Sequence, residues 1–157
     1  MSFDFNADDI FEMAEQIERN GASFYREAEL GVSDPRSKAL LAQLAAMEDD
    51  HENAYADLRK GLNEAENTPT VFDPDDEAVR YLRAMADTRV FFEQTVDFRS
   101  MASILKTAIQ MEKDSIAFYL GLKDLVPEAL GRKRVDDIIR EEMGHIQLLS
   151  RELLAQQ

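Results

Sequence analysis

The chain has no cysteine. Disulfides, thiolate zinc sites, iron–sulfur clusters and cysteine nucleophiles are therefore excluded. Glycine and proline are also scarce, six and four among 157 residues, too few for a fold of many short strands and tight turns. No apolar run approaches the roughly 18 residues that a membrane-spanning helix needs, so no membrane partner is expected. Basic residues are outnumbered, 18 Lys and Arg against 32 Asp and Glu, for a net charge of −14. Such a surface repels nucleic acid and acidic lipid, so nucleic acid is not an expected partner either. There is no Gly-rich phosphate loop, no serine nucleophile elbow and no basic aromatic patch. The opening Met1–Asn6 is acidic and lacks a charged-then-apolar leader, so a cytoplasmic location is expected.

Histidine is scarce too, and its two copies are informative. His51 and His145 lie 94 positions apart (145 − 51), and each closes a Glu-x-x-His motif, Glu48-Asp-Asp-His51 and Glu142-Met-Gly-His145. A lone glutamate stands 30 residues before each motif, Glu18 before Glu48 and Glu112 before Glu142, and a tyrosine follows each lone glutamate by seven, Tyr25 and Tyr119. At the same offset Ala14, Gln16, Glu18, Phe24 and Tyr25 match Ala108, Gln110, Glu112, Phe118 and Tyr119 identically. An internal repeat of this kind implies a pseudo-two-fold helical bundle.

The elements fit that symmetry. Asn6 is a candidate cap for a first helix whose inner face runs Ile10, Ala14, Ile17, Gly21, Phe24, Ala28, ending with Gly31 as its C-terminal cap. Ser33-Asp34-Pro35 starts a second, inward-facing at Leu40, Leu44, Met47, His51, Ala54 and Leu58 and fading near Asn63. Residues 64–73 read as a linker. Asp73-Pro74-Asp75-Asp76 starts a short helix through Val79, Leu82 and Met85, and residues 88–97 are ambiguous. A long helix is expected from about Asp97 to about Leu125, broken by Val126-Pro127, and a last one over roughly 131–154. The expected architecture is all-α: one domain over residues 1–157, a four-helix bundle of two helical hairpins joined by a long crossover with a short extra helix.

Geometry turns the spacing into a site. The midpoint of 18 and 48 is 33, and that of 112 and 142 is 127, both at predicted turns. At a rise of about 1.5 Å per residue, each glutamate pair faces itself about 22 Å from its turn, near mid-bundle. Positions i and i+3 share a helix face, so Glu48 with His51, and Glu142 with His145, can reach one ion. Four carboxylates and two imidazoles suit Fe, with Mn or Zn as substitutes, and no soft ligand is present. Four inward carboxylates without counter-charge would be very costly. Two Fe²⁺ ions neutralise them, as do two Fe³⁺ ions with one oxide. A single Glu-x-x-His would be an ordinary solvated pair; two copies with matched glutamates point to metal.

Other residues admit two uses. Tyr25 and Tyr119 either bond ligand carboxylates or fill core space with their hydroxyls satisfied elsewhere. Gly21 and Ser115, equivalent positions three after the lone glutamates, either leave a pocket beside the metals or allow close helix packing. Glu15, Asp49, Asp50, Glu52 and Glu141 flank the motifs as solvated faces, with an outer-shell or iron-uptake role open to some.

Taken together, Glu18 with Gly21 and Phe24-Tyr25, Glu48-x-x-His51, Glu112 with Phe118-Tyr119, and Glu142-x-x-His145 resemble the ferritin-like superfamily, in its rubrerythrin-like branch, over about residues 7–155. The resemblance implies a carboxylate-bridged di-iron centre, two Fe ions per site. In it Glu18 and Glu112 would be terminal ligands, Glu48 and Glu142 bridges, and His51 and His145 one ligand for each iron. It implies oxidation of Fe²⁺ by O₂, or reduction of H₂O₂, as oxidoreductase chemistry tied to oxidative stress. The alternative is a non-catalytic protein for iron binding, storage or delivery. Two departures matter. Rubrerythrins usually carry a four-cysteine rubredoxin domain, absent here, so an electron donor would be a separate protein. They commonly have a further glutamate where this chain has Ser115, which brings the ligand set closer to that of bacterioferritin. The chain stops just after its fourth long helix, so a homodimer, with hairpins open to exchange between protomers, is expected rather than a hollow shell.

Overall fold

The computed structural model describes residues 7–64, 77–85 and 95–157. They form helix α1 (Ala7–Gly31), α2 (Pro35–Glu64), α3 (Glu77–Met85), α4 (Met101–Lys123) and α5 (Arg132–Ala155), with a 3₁₀ turn at Glu128–Leu130. No strand occurs among the described residues. The Asn6 cap, the linker after Glu64 and the Asp73–Asp76 helix start lie outside them.

Local chemistry explains most boundaries. Asp34 caps α2 as its sequence suggests: its Oδ2 accepts from the Ser37 backbone amide at 2.8 Å and the Ser37 hydroxyl at 2.9 Å, and Pro35 occupies the first turn. Helix α4 starts four residues later than expected. The Asp97 carboxylate caps the Arg99 amide at 3.0 Å in a tight local turn, and Ser100 takes over as the helix cap, accepting from the Ser103 amide at 3.2 Å. Gly31 is the last residue of α1 but is not a left-handed cap, since Gly131, at φ 119°, is the positive-φ glycine of the described chain. What Gly31 provides is room: a β-carbon there would stand 2.1 Å from the Phe98 carbonyl oxygen.

Helix α1 packs along α2, and α4 along α5, giving the two hairpins; α1 then lies beside α4 and α2 beside α5, and α3 rests on α4. Tyr81 of α3 donates to the Ala117 carbonyl at 2.5 Å over Gly121, where a β-carbon would meet the Tyr81 ring at 2.4 Å. The inner face of α2 buries Leu44 and His51 as expected, and adds Leu41 and Tyr55 while leaving the expected Leu40, Met47, Ala54 and Leu58 half-buried.

The apolar core is split. One cluster gathers Ile10, Phe11, Ala14, Tyr55, Phe118, Tyr119, Leu122, Val135 and Ile138 at one end of the bundle. The other gathers Tyr25, Ala28, Leu41, Leu44, Ile104, Leu105, Ala108 and Leu149 at the opposite end. Between them lies a band of six charged side chains.

Candidate metal centre

The band is Glu18, Glu48, His51, Glu112, Glu142 and His145, none more than 4% exposed. These six are the buried polar and charged residues of the described chain, and they are the six that the spacing singles out. Their donor atoms fall into two overlapping groups. In one, Glu18, Glu48, His51 and Glu142 each offer an atom within 4.8 Å of the others; in the second, Glu48, Glu112, Glu142 and His145 do. Glu48 and Glu142 belong to both, one from each hairpin. That overlap is what two ions sharing two bridging carboxylates require.

Both imidazoles turn Nδ1 inward. His51 Nδ1 stands 2.8 Å from Glu142 and 3.5 Å from Glu18; His145 Nδ1 stands 3.1 Å from Glu142, 3.3 Å from Glu48 and 3.5 Å from Glu112. The rings lie nearly parallel, 5.6 Å apart. Despite this crowding, Glu18 Oε2, Glu48 Oε1, both oxygens of Glu142 and both Nδ1 atoms are buried without a hydrogen-bond partner. Buried polar atoms normally have partners, and orphaned lone pairs converging from four helices are the arrangement a cation satisfies. The donor set, hard oxygens with borderline nitrogens, fits a pair of divalent first-row metals.

Electrostatics agree. Burial, then the neighbouring Glu142, pushes Glu18 above the usual carboxylate range, and burial with Glu18 and Glu112 does the same to Glu48. Burial followed by Glu112 and Glu48 lifts Glu142 to about 8. Burial also acts to raise Glu112, but the nearby Glu142 and His145 and the hydrogen bond from Tyr25 outweigh it and leave that carboxyl low. Burial acts to lower both histidines; the surrounding carboxylates prevail, taking His51 to about 11 and His145 to about 12. Without metal, protons must supply the positive charge that four carboxylates demand.

The tyrosines bond ligand carboxylates, and they do so across the bundle. Tyr25 of α1 donates to Glu112 of α4 at 2.5 Å, and Tyr119 of α4 donates to Glu18 of α1. Burial and the adjacent carboxylates keep both phenols far above their ordinary value, so they remain donors. Gly21 lies against the centre: a β-carbon would stand 3.1 Å from Glu48 Oε2. Ser115 instead donates to its own helix, to the Met111 carbonyl at 3.0 Å.

Most of the flanking acids are surface partners. Glu15 pairs with Arg59, Glu52 with Arg19 and Asp49 with Arg26. Glu141 differs, since its Oε2 lies 2.7 Å from His51 Nε2. Tyr55, not foreseen as a site residue, is fully buried with its ring 4.9 Å from that of Tyr119 and its hydroxyl unpartnered. Its place four residues after His51 was the available signal, but its repeat equivalent is Leu149, so the symmetry that found the ligands could not find it.

A four-helix bundle of two hairpins with paired carboxylates and histidines at mid-depth defines the ferritin-like di-metal class. The crystal structure of a ferritin-like diiron-carboxylate protein from Thermotoga maritima superposes with a TM-score of 0.68 at 22% identity, over 98% of this chain and 97% of that one. No curated protein matches the chain. The rubrerythrin family model matches residues 9–153, and the chain belongs to that family.

Proposed function

We propose that this protein binds two iron ions and oxidises Fe²⁺ with O₂ or reduces H₂O₂, drawing electrons from Fe²⁺ or from a separate donor protein. The observation that carries the proposal is the pair of overlapping donor groups sharing Glu48 and Glu142. Glu18 and His51 would complete one metal position, Glu112 and His145 the other. Bound iron supplies one-electron redox couples, two per centre, enough for a two-electron oxidant. The chain's own residues set the conditions. Two apolar clusters, one above and one below the band, keep bulk water from the ligands. Tyr25 and Tyr119 hold Glu112 and Glu18 through one oxygen each, leaving the second free to bind. Gly21 leaves the Glu48 carboxylate space that a methyl group would narrow.

The test is an anaerobic Fe²⁺ titration followed by stopped-flow mixing with O₂ and, separately, with H₂O₂. Two Fe²⁺ bound per chain, with oxidation faster than in buffer for either oxidant, is expected. Binding of two ions with oxidation no faster than in buffer would overturn the redox assignment in favour of storage or delivery. Replacing Glu48 or Glu142 by Ala should abolish binding of at least one ion.

A further inference from the structure

The repeat that builds the centre is broken directly behind its histidines. A neutral imidazole that binds a cation through Nδ1 carries its proton on Nε2, and that proton needs an acceptor. For His51 the acceptor is Glu141, at 2.7 Å, and Glu141 is steadied in turn through its other oxygen by Arg134 at 3.4 Å. For His145, Nε2 is buried and no described residue partners it. The positions that would supply the missing pair, 94 residues earlier, hold Met47 for Glu141 and Leu40 for Arg134. Ligands and tyrosines are duplicated faithfully, yet the carboxylate and its arginine occur in one half alone.

We propose that the two metal positions are unequal: the His51 position, backed by Glu141, fills first and holds its ion, whereas the His145 position fills second and exchanges. This rests on the di-metal assignment above. A carboxylate behind a ligating imidazole fixes its tautomer and ring orientation and makes Nδ1 a stronger donor; losing such a partner typically weakens metal binding about 10–100-fold. At the His145 position no described residue offers the Nε2 proton such a partner, so among the described residues its buried N–H goes unsatisfied. Glu141 is therefore a positioning residue for one metal and not for the other. It is 43% exposed, which reduces the contribution of its charge but leaves the directional hydrogen bond to a buried ring.

The experiment is an anaerobic Mn²⁺ titration of the full chain, followed by calorimetry and by electron paramagnetic resonance, which separates an isolated ion from a coupled pair. Wild type should show an isolated-ion signal through the first equivalent and a coupled signal through the second, with two resolved affinities. Glu141→Ala should weaken the tighter step about 10–100-fold so that the steps merge, with the weaker step unchanged. Glu141→Gln, which can still accept through its amide oxygen, should recover part of the loss. Met47→Glu should tighten the weaker step. Two equal affinities in wild type, with coupled pairs forming from the first addition, would overturn the inequality while leaving the di-metal assignment intact. So would an unchanged first step in Glu141→Ala. Failure of wild type to bind either Mn²⁺ or Fe²⁺ would instead remove the di-metal assignment itself, and the inequality with it.

Discussion

Tyr25 and Tyr119 show how much a single hydroxyl does when it reaches across the bundle. Each phenol links its own helix to the lone glutamate of the other hairpin, so hairpin docking and carboxylate orientation are one interaction. Tyr119→Phe should weaken metal binding at the Glu18 position, and Tyr25→Phe at the Glu112 position, each about 10–100-fold. Competitive titration with a chromophoric chelator measures this, and wild-type affinity in both variants would show the phenols to be packing alone. Gly21 allows a sharper separation. Gly21→Ala should raise metal-free stability by up to about 1 kcal/mol through helix propensity, yet lower metal affinity, because its β-carbon would crowd Glu48 at 3.1 Å. Ser115→Ala should move neither by much, since that hydroxyl bonds its own backbone. The six side chains of the buried band were legible in the sequence because a repeated spacing records which positions share a helix face. Glu141 and Tyr55 were not singled out, because their importance depends on what stands opposite them in space, and neither recurs in the other half.

At the scale of the helices, the sequence is clear where a boundary is local and silent where it is not. Asp34 and Pro35 announce the start of α2 because both cap and first turn are made by neighbours in the chain. Asp97 resembles a cap equally well, but its carboxylate is committed to a turn two residues on, and Ser100 does the capping. The preference in α2 for Leu41 over Leu40 and for Tyr55 over Ala54 has the same origin: either neighbour extends the apolar stripe, and packing against α1 and α5 selects Leu41 and Tyr55. Gly31 looks like a helix terminator in the sequence; in space it is a point of contact. Gly31→Ala should destabilise the fold by about 1–3 kcal/mol, as overpacking against a rigid backbone carbonyl does. Asp34→Ala should cost about 1 kcal/mol through the lost cap. Urea unfolding with unchanged m-values would measure both. A Gly31→Ala variant as stable as wild type would mean that the 95–100 segment yields at little cost.

For the whole molecule, metal content decides how stability depends on pH. Between the ordinary carboxylate value of 4.5 and about 8, folded Glu142 holds a proton that the unfolded chain has released. Between 6.5 and about 11–12, folded His51 and His145 do likewise. The folded metal-free protein thus binds more protons than the unfolded chain throughout, so its stability falls as pH rises from about 5 to 9. Glu112, shifted the other way, adds a loss only below the ordinary carboxylate range. Bound divalent ions replace those protons and reverse the trend, since acid now competes with metal for the ligands. Melting curves in chelator should therefore decline steadily over this range, while curves at saturating Fe²⁺ under anaerobic conditions should stay flat or rise. At a free metal concentration 100 times Kd, one site adds about 2.7 kcal/mol, which for a chain of this size raises Tm by roughly 5–10 °C. The chain carries a net charge of −14, most of it outside the band, and the self-repulsion of the surface also varies with pH. That repulsion is screened within about 3 Å at 1 M salt, whereas charges buried in the band are not. A decline that persists in 1 M salt and disappears on adding metal belongs to the six side chains at the centre; a decline that salt abolishes belongs to the surface, and the protonated metal-free centre would then be wrong.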